Sequence, residues 1–189
     1  MADDASAAGK LSDLKVWWKS IIKEGERFGY FVKPSKSWLI LKNPDRLSKT
    51  ETLFADTPIN ITTAGKQHLG AALGTEEYKF DYIDHKVTEW CERLRKLSEI
   101  AKSQPHAAYA AYIHGEQHRY TYFMRTLNGI EENLKPVDKV LEEVFIPTLF
   151  GRDVTLEERE VLSLQVKEGG LGLRKISSNS SSTYQTSKS

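Results

Sequence analysis

Two adjacent aspartates, Asp3 and Asp4, are the first residues in this chain whose spacing could do chemistry. Paired carboxylates commonly hold divalent metals in enzymes that transfer phosphoryl groups. A two-metal site, however, needs carboxylates that converge from several elements, and a terminus without packing partners rarely orders. The pair is therefore compatible with a metal site and with a solvated leader, and its position alone does not decide between them.

Two further motifs invite comparison with ligand sites but depart from them. HGEQH places His114 and His118 on one helix face, but zinc peptidases need the glutamate second or fourth, and here Glu116 is third. No third ligand is evident, so we expect a polar helix face. The glycine-rich GGLGL at 169–173 lacks the Lys-Ser/Thr of a phosphate-binding loop, and we expect it to form a turn that closes the last helix.

Nucleic acid is the ligand indicated by the stretch from His106 to Thr126. It mixes four tyrosines, a phenylalanine, three histidines and two arginines with a single acid. Cations contact phosphates and aromatic rings stack on bases, so such a mixture suits a polyanion with exposed bases. The favoured interpretation is nevertheless an ordinary amphipathic helix whose aromatic side chains are buried.

Composition limits the remaining possibilities. The chain has 189 residues, is 39% hydrophobic and carries a formal net charge of +1, so bulk charge gives no case for nucleic acid or membranes. A single cysteine, Cys91, excludes internal disulfides and multi-cysteine metal sites and suits a reducing compartment. Neither a signal peptide nor a membrane-spanning run is recognisable, so we expect an intracellular protein, in cytoplasm or nucleus.

The elements that must position these residues change in character along the chain. Up to about residue 75 the pattern predicts an amphipathic helix ending near Gly29, a strand over 37–41, a helix over 45–54, and two short strands about Ala64–Gly65. The second of these strands should run through His68 to Leu73. Strands so few and short seldom form a stable sheet by themselves, so the predicted antiparallel sheet looks incomplete.

From Glu76 onward the pattern is helical. Apolar residues alternate steps of three and four up to Ala101, Pro105 suits the first turn of the next helix, and Thr155 with Glu158 has capping-box spacing. The serine-rich segment 174–189 is expected to be disordered. The predicted class is therefore α+β: a small sheet followed by a helical bundle.

Several segments, taken in order, resemble reverse transcriptases of animal retrotransposons, with the non-LTR and DIRS-like elements closest. They are ADDASAAGKLSDLKVWW, FGYFVKPSKSWLI, ITTAGKQHLGAALG, QPHAAYAAYIHG and GGLGL. The likeness spans about 1–173. It implies that 1–75 is the remnant of a polymerase palm and that 76–173 is the thumb and connecting region.

The resemblance also implies roles for individual residues. Asp3 and Asp4 match the end of a Tyr-Ala-Asp-Asp box, with Met1 where the tyrosine would stand, and Asp3 would be a metal ligand. Lys36 matches a palm lysine thought to act near the incoming nucleotide. His68, Leu69 and Gly70 are similar to the primer-grip hairpin. The implied cofactor is Mg²⁺ and the implied partner is an RNA or DNA template-primer.

The same resemblance implies that catalysis is incomplete. The fingers and the other metal-binding aspartate of the palm precede the Asp-Asp box in the family. Because Mg²⁺ demands near-ideal octahedral coordination, we expect these residues alone to bind it poorly and to show little or no polymerase activity. The alternative is a non-catalytic helical module that binds nucleic acid or another partner. Its candidate contacts are Arg93, Arg95, Arg119 and Arg125.

Overall fold

The described residues, 5–189, form helices and two small two-stranded sheets in a computed structural model of the chain. The predicted helix-rich α+β class is confirmed. Two compact units are distinguished. The first holds residues 5–67 and 73–75, and the second holds 68–72 and 76–189. Whether they correspond to palm and thumb stays a prediction.

The first unit is built on two helices, α1 (Leu11–Gly25) and α2 (Leu47–Phe54). Trp18 of α1 and Phe54 of α2 are buried, which is what their amphipathic spacing predicts. Lys15 contacts the Asp56 carboxylate and donates a hydrogen bond to the Leu53 carbonyl at 2.6 Å. That lysine lowers the pKa of Asp56, chiefly through its hydrogen bond, so the Asp56 carboxylate stays charged and paired with α1.

Strands β1 (Trp38–Ile40) and β2 (Asn60–Thr62) of the first unit pair in parallel. Their register places Leu39 opposite Ile61. The expected sheet was antiparallel, and this pair departs from it because α2 lies between the two strands in sequence. A helical crossover returns the chain in the same direction, whereas a tight turn reverses it.

Strands β3 (Gly65–His68) and β4 (Ala71–Gly74) form a hairpin. The prediction of one strand running through Leu69 is wrong, because Leu69 and Gly70 have φ of 49° and 85° and reverse the chain. Positive φ at both central residues is the signature of the tight turns that match strand twist. At the base, a Cβ on Gly74 would lie 2.2 Å from the Ala64 carbonyl oxygen, so only glycine fits.

The second unit is organised around α3 (Glu76–Ala101), whose apolar stripe is buried as predicted. Trp90 of α3 packs edge-on against Tyr120 and Phe123, with ring centroids 5.1 and 5.0 Å apart. Two π turns interrupt the helices that follow. In chain order these segments are α4 (Pro105–Ala111), a π turn (Tyr112–Glu116), α5 (Gln117–Thr126), α6 (Glu131–Val140), a π turn (Leu141–Phe145), α7 (Ile146–Phe150) and α8 (Leu156–Ser163).

The C-terminal tail is ordered, although disorder was expected over 174–189. The buried Asp138 carboxylate accepts hydrogen bonds from the backbone N–H groups of Ile176 (2.6 Å) and Ser177 (3.1 Å). Local composition predicts disorder, but a tertiary anchor of this kind holds a serine-rich segment in place. The tail forms a 3₁₀ turn (Ser177–Asn179) and α9 (Ser180–Thr186).

Candidate nucleic-acid interface

The predicted metal ligands cannot be placed in the fold. Asp3 and Asp4 lie outside the described residues. Among residues 5–189, no group of three or more histidines, cysteines and acids is arranged to hold a metal ion. The roles of Asp3 and Asp4 therefore stay predictions.

Lys36, the third predicted catalytic residue, ends a 3₁₀ turn (Pro34–Lys36) just before β1. The Asn60 side chain of β2 fastens this turn by donating to the carbonyls of Ser35 (2.8 Å) and Ser37 (3.2 Å). The Lys36 side chain is exposed and has no ion pair with any described acid. A rigid turn thus presents a free ammonium group.

The three primer-grip-like residues, His68, Leu69 and Gly70, form the tip of the β3–β4 hairpin. Two tyrosines of the second unit hold that tip. Tyr122 donates to the Leu69 carbonyl at 2.6 Å, and Tyr82 donates to the Gly70 carbonyl at 2.9 Å. Burial raises the pKa of Tyr82, which keeps its hydroxyl protonated as a donor. The Leu69 side chain nevertheless remains 68% exposed.

The four candidate arginines do not form one patch. Arg93 and Arg119 converge on Glu116, at 3.2 and 3.3 Å from the same carboxylate oxygen. Arg95 lies two residues beyond Arg93, a rotation of about 200° on a helix, which places it on the opposite flank of α3. The Arg125 carbonyl accepts a hydrogen bond from the Ser187 hydroxyl. Of these four arginines, Arg95 and Arg125 are free of ion pairs within the described part of the chain.

The Arg93–Glu116–Arg119 cluster gives the glutamate of the HGEQH motif a structural role. Glu116 closes the π turn and points toward arginines, while His114 belongs to that turn and His118 to α5. The histidine-containing segment thus supplies an ion-pair partner that ties α3 to the α4–α5 segment.

The GGLGL segment is held by its backbone. The N–H groups of Leu171 and Leu173 both donate to the Leu162 carbonyl of α8, at 3.1 and 3.0 Å. A Cβ on Gly170 would lie 2.3 Å from the Leu164 carbonyl oxygen. The glycines therefore allow a close approach to α8, and these N–H groups are not left to bind phosphate.

A cavity of about 600 Å³ lies between α8 and the segment that precedes α9. Three of its six charged residues pair with one another, since Glu142 contacts Arg159 at 3.0 Å and Lys175 at 3.2 Å. It contains none of the predicted site residues.

Charge is distributed unequally between the units, which the total of +1 conceals. Among the described residues, the first unit has eleven Lys and Arg against six Asp and Glu, while the second has sixteen against eighteen. Neither Trp38, two residues after Lys36, nor Lys66 was predicted from the sequence as a site residue. Trp38 is 42% exposed, and the Lys66 ammonium lies 4.1 Å from the centroid of its ring. The signal available was the absence of acids over 27–44 and 57–75.

Among the described helices, none is both long and apolar enough to cross a bilayer. Comparisons with family models, with curated proteins and with solved structures give no match.

Proposed function

We propose that this chain is the lower palm and thumb part of a reverse-transcriptase-like polymerase, acting inside the cell on an RNA or DNA template-primer. Its own contribution to nucleotidyl transfer would be Asp3, Asp4 and Lys36, together with the hairpin tip. The order and spacing of the five similar segments support this proposal.

The observation that carries the proposal is the hairpin tip. The residues that resemble a primer grip coincide with a two-residue turn whose carbonyls are both satisfied by tyrosine hydroxyls. A group that aligns a primer end must be held firmly, because displacements of about 1 Å can cost a hundredfold in rate. A fixed tip with an exposed Leu69 has that property.

The chemistry requires partners that these 189 residues do not supply. In the family, activation of the primer 3′-oxygen and stabilisation of the leaving oxygens come from two divalent ions. Asp3 and Asp4 would provide carboxylates from one side only. The chain alone should therefore be inactive, and a polypeptide with the fingers and the upstream aspartate should restore extension.

The test is primer extension with Mg²⁺, using the chain alone and mixed with a fingers and upper-palm fragment. The chain alone should give background signal, the mixture should extend, and Asp3→Asn with Asp4→Asn should return the mixture to background. Asp13→Asn, an exposed acid of α1, is the matched control and should leave extension unchanged. Robust extension by the chain alone would refute its proposed inactivity, and an active double variant would refute the aspartate assignment.

A second candidate function is a non-catalytic module that grips nucleic acid through its helices. The free Arg95 and Arg125 side chains favour it. Salt-dependent mobility shifts without extension in any mixture would support this alternative, because counterion release makes phosphate contacts weaken steeply with salt.

A further inference from the structure

Around β1 the first unit carries lysines and an exposed tryptophan, and residues 27–44 contain no acid. We call this region the β1 surface, and it comprises Lys33, Lys36, Trp38, Lys42 and Lys66. None of these lysines has an ion pair with a described acid. The α1 lysines differ, since Lys15 and Lys19 both pair with Asp56.

The geometry around Trp38 is fixed by backbone and side-chain hydrogen bonds. Asn60, opposite Trp38 in the parallel pair, donates its backbone N–H to the Ser37 carbonyl at 3.0 Å and also holds the turn that bears Lys36. Lys66, near the start of β3, places its ammonium 4.1 Å from the Trp38 ring centroid. The backbone beside Trp38 is therefore held and an ammonium lies against the ring, while 42% of the residue stays accessible.

Such a surface matches one kind of partner. Unpaired lysines attract phosphates, and an exposed indole offers a stacking face that any base can use. A duplex presents phosphates but keeps its base faces stacked internally, so it would use only half of what the surface offers. An acidic peptide would use the lysines and leave the ring unused.

We propose that the β1 surface binds single-stranded nucleic acid, with a base stacked on Trp38 and phosphates on the surrounding lysines. This goes beyond the proposed function, which assigns no contact to Trp38 or Lys66. It does not depend on the aspartates or on catalysis. Because stacking accepts every base, the binding should show little sequence preference.

The test is fluorescence anisotropy of labelled oligo(dT) with the full chain, in parallel with oligo(U) and a duplex. Trp38→Leu should weaken oligo(dT) binding about 5-fold to 150-fold, the equivalent of losing one stacked base at about 1–3 kcal/mol. Trp17→Leu, at a half-buried tryptophan of α1, is the matched control. Duplex binding should change less than oligo(dT) binding in Trp38→Leu.

The lysines are tested through salt dependence. Lys33→Gln with Lys42→Gln should reduce the slope of log affinity against log salt by roughly 1.4, since each phosphate contact on a single strand contributes about 0.7. Lys10→Gln with Lys49→Gln removes the same charge from exposed lysines elsewhere in the first unit and should change the slope less.

Three outcomes would overturn the inference: equal losses in the Trp38 and Trp17 variants, equal slopes in the two lysine pairs, or a duplex that binds as well as oligo(dT). If Trp38→Leu fails to fold by circular dichroism, Trp38→Phe decides. Oligo(dT) should quench the wild-type tryptophan fluorescence and quench this variant much less. Extension that fails while this binding pattern holds would refute the polymerase proposal alone.

Discussion

We predict that the same substitution, leucine to asparagine, changes the free energy of unfolding in opposite directions at two exposed leucines of the β3–β4 hairpin. The first of them is Leu69. It is the one non-glycine residue with positive φ among those the structure describes. An L-residue with a Cβ in this region is strained by roughly 1–2 kcal/mol, and asparagine tolerates it better. Leu69→Asn should therefore relieve part of a strain that the turn imposes.

The loss of apolar burial opposes that gain. Full burial of a leucine side chain stabilises by about 1.5–3 kcal/mol. Because Leu69 is 68% exposed, about a third of that stabilisation, roughly 0.5–1 kcal/mol, is at stake. Complete relief of the strain would leave the variant between about zero and 1.5 kcal/mol more stable than the wild type, and partial relief would leave a smaller gain. Leu73, at 46% exposure inside β4, has no strain to relieve. Leu73→Asn should destabilise by about 1–2 kcal/mol through lost burial and poor strand propensity.

Urea unfolding of the two variants beside the wild-type chain measures both signs. A Leu69→Asn variant whose free energy of unfolding falls by more than about 1 kcal/mol would refute the strain argument. The packing of the Leu69 side chain would then outweigh any strain in its backbone. If Leu69 acts in primer alignment, the same stabilised variant should extend primers more slowly in the reconstituted mixture. Strained residues at functional sites commonly show that opposition of stability and activity.

Two further predictions concern groups that hold the second unit together. Asp138→Asn should destabilise by roughly 2–3 kcal/mol, since the amide keeps one acceptor for Ile176 but turns a donor toward the Ser177 N–H; urea unfolding measures this loss. Glu158 lies beside Arg152, whose hydrogen bond holds the Glu158 pKa at about 2, below its ordinary 4.5. Glu158→Gln should therefore lower the melting temperature at neutral pH, and its difference from wild type should disappear as pH falls from about 4.5 toward 2.

Both predictions, for Asp138 and for Glu158, can be checked against an outcome that would contradict them. Asp13→Asn removes an exposed α1 acid and should leave unfolding unchanged, so an equal loss there would show that Asp138 matters only through net charge. For Glu158, a difference that grows below about pH 4 would contradict the assigned pKa shift, because a carboxylate with a depressed pKa stabilises above its unfolded pKa.

Local signals predict several helices of this chain, including α1, α3 and α8. The three-and-four spacing along α3 identified a stripe that is buried, and Thr155 with Glu158 forms the reciprocal capping box that their spacing indicates. These features depend on residues within a turn or two of one another. Pairing between distant segments is different, since nothing local in β1 or β2 states that they run parallel or that α2 lies between them.

The predictions for the β3–β4 hairpin and for the C-terminal tail were wrong for related physical reasons. Leu69 is a poor turn residue by composition, and the turn forms there because its carbonyls accept hydrogen bonds from Tyr82 and Tyr122, both distant in sequence. The tail orders because Asp138 supplies an acceptor for its N–H groups. In both places a long-range polar contact overrides a local preference, and single-sequence reasoning has no access to such contacts.

Ion pairs decide which cations of the candidate interface can contact phosphates. Counting treats Arg93 and Arg119 as two cations for a polyanion, but both converge on Glu116, whose side chain is largely buried. Releasing them to phosphates would leave that carboxylate uncompensated, a cost that lysines without acidic neighbours do not carry. Lys33, Lys36 and Lys42 can therefore meet phosphates without breaking an existing pair. Affinity for nucleic acid should accordingly depend more on the lysines of the first unit than on the arginine pair of the second.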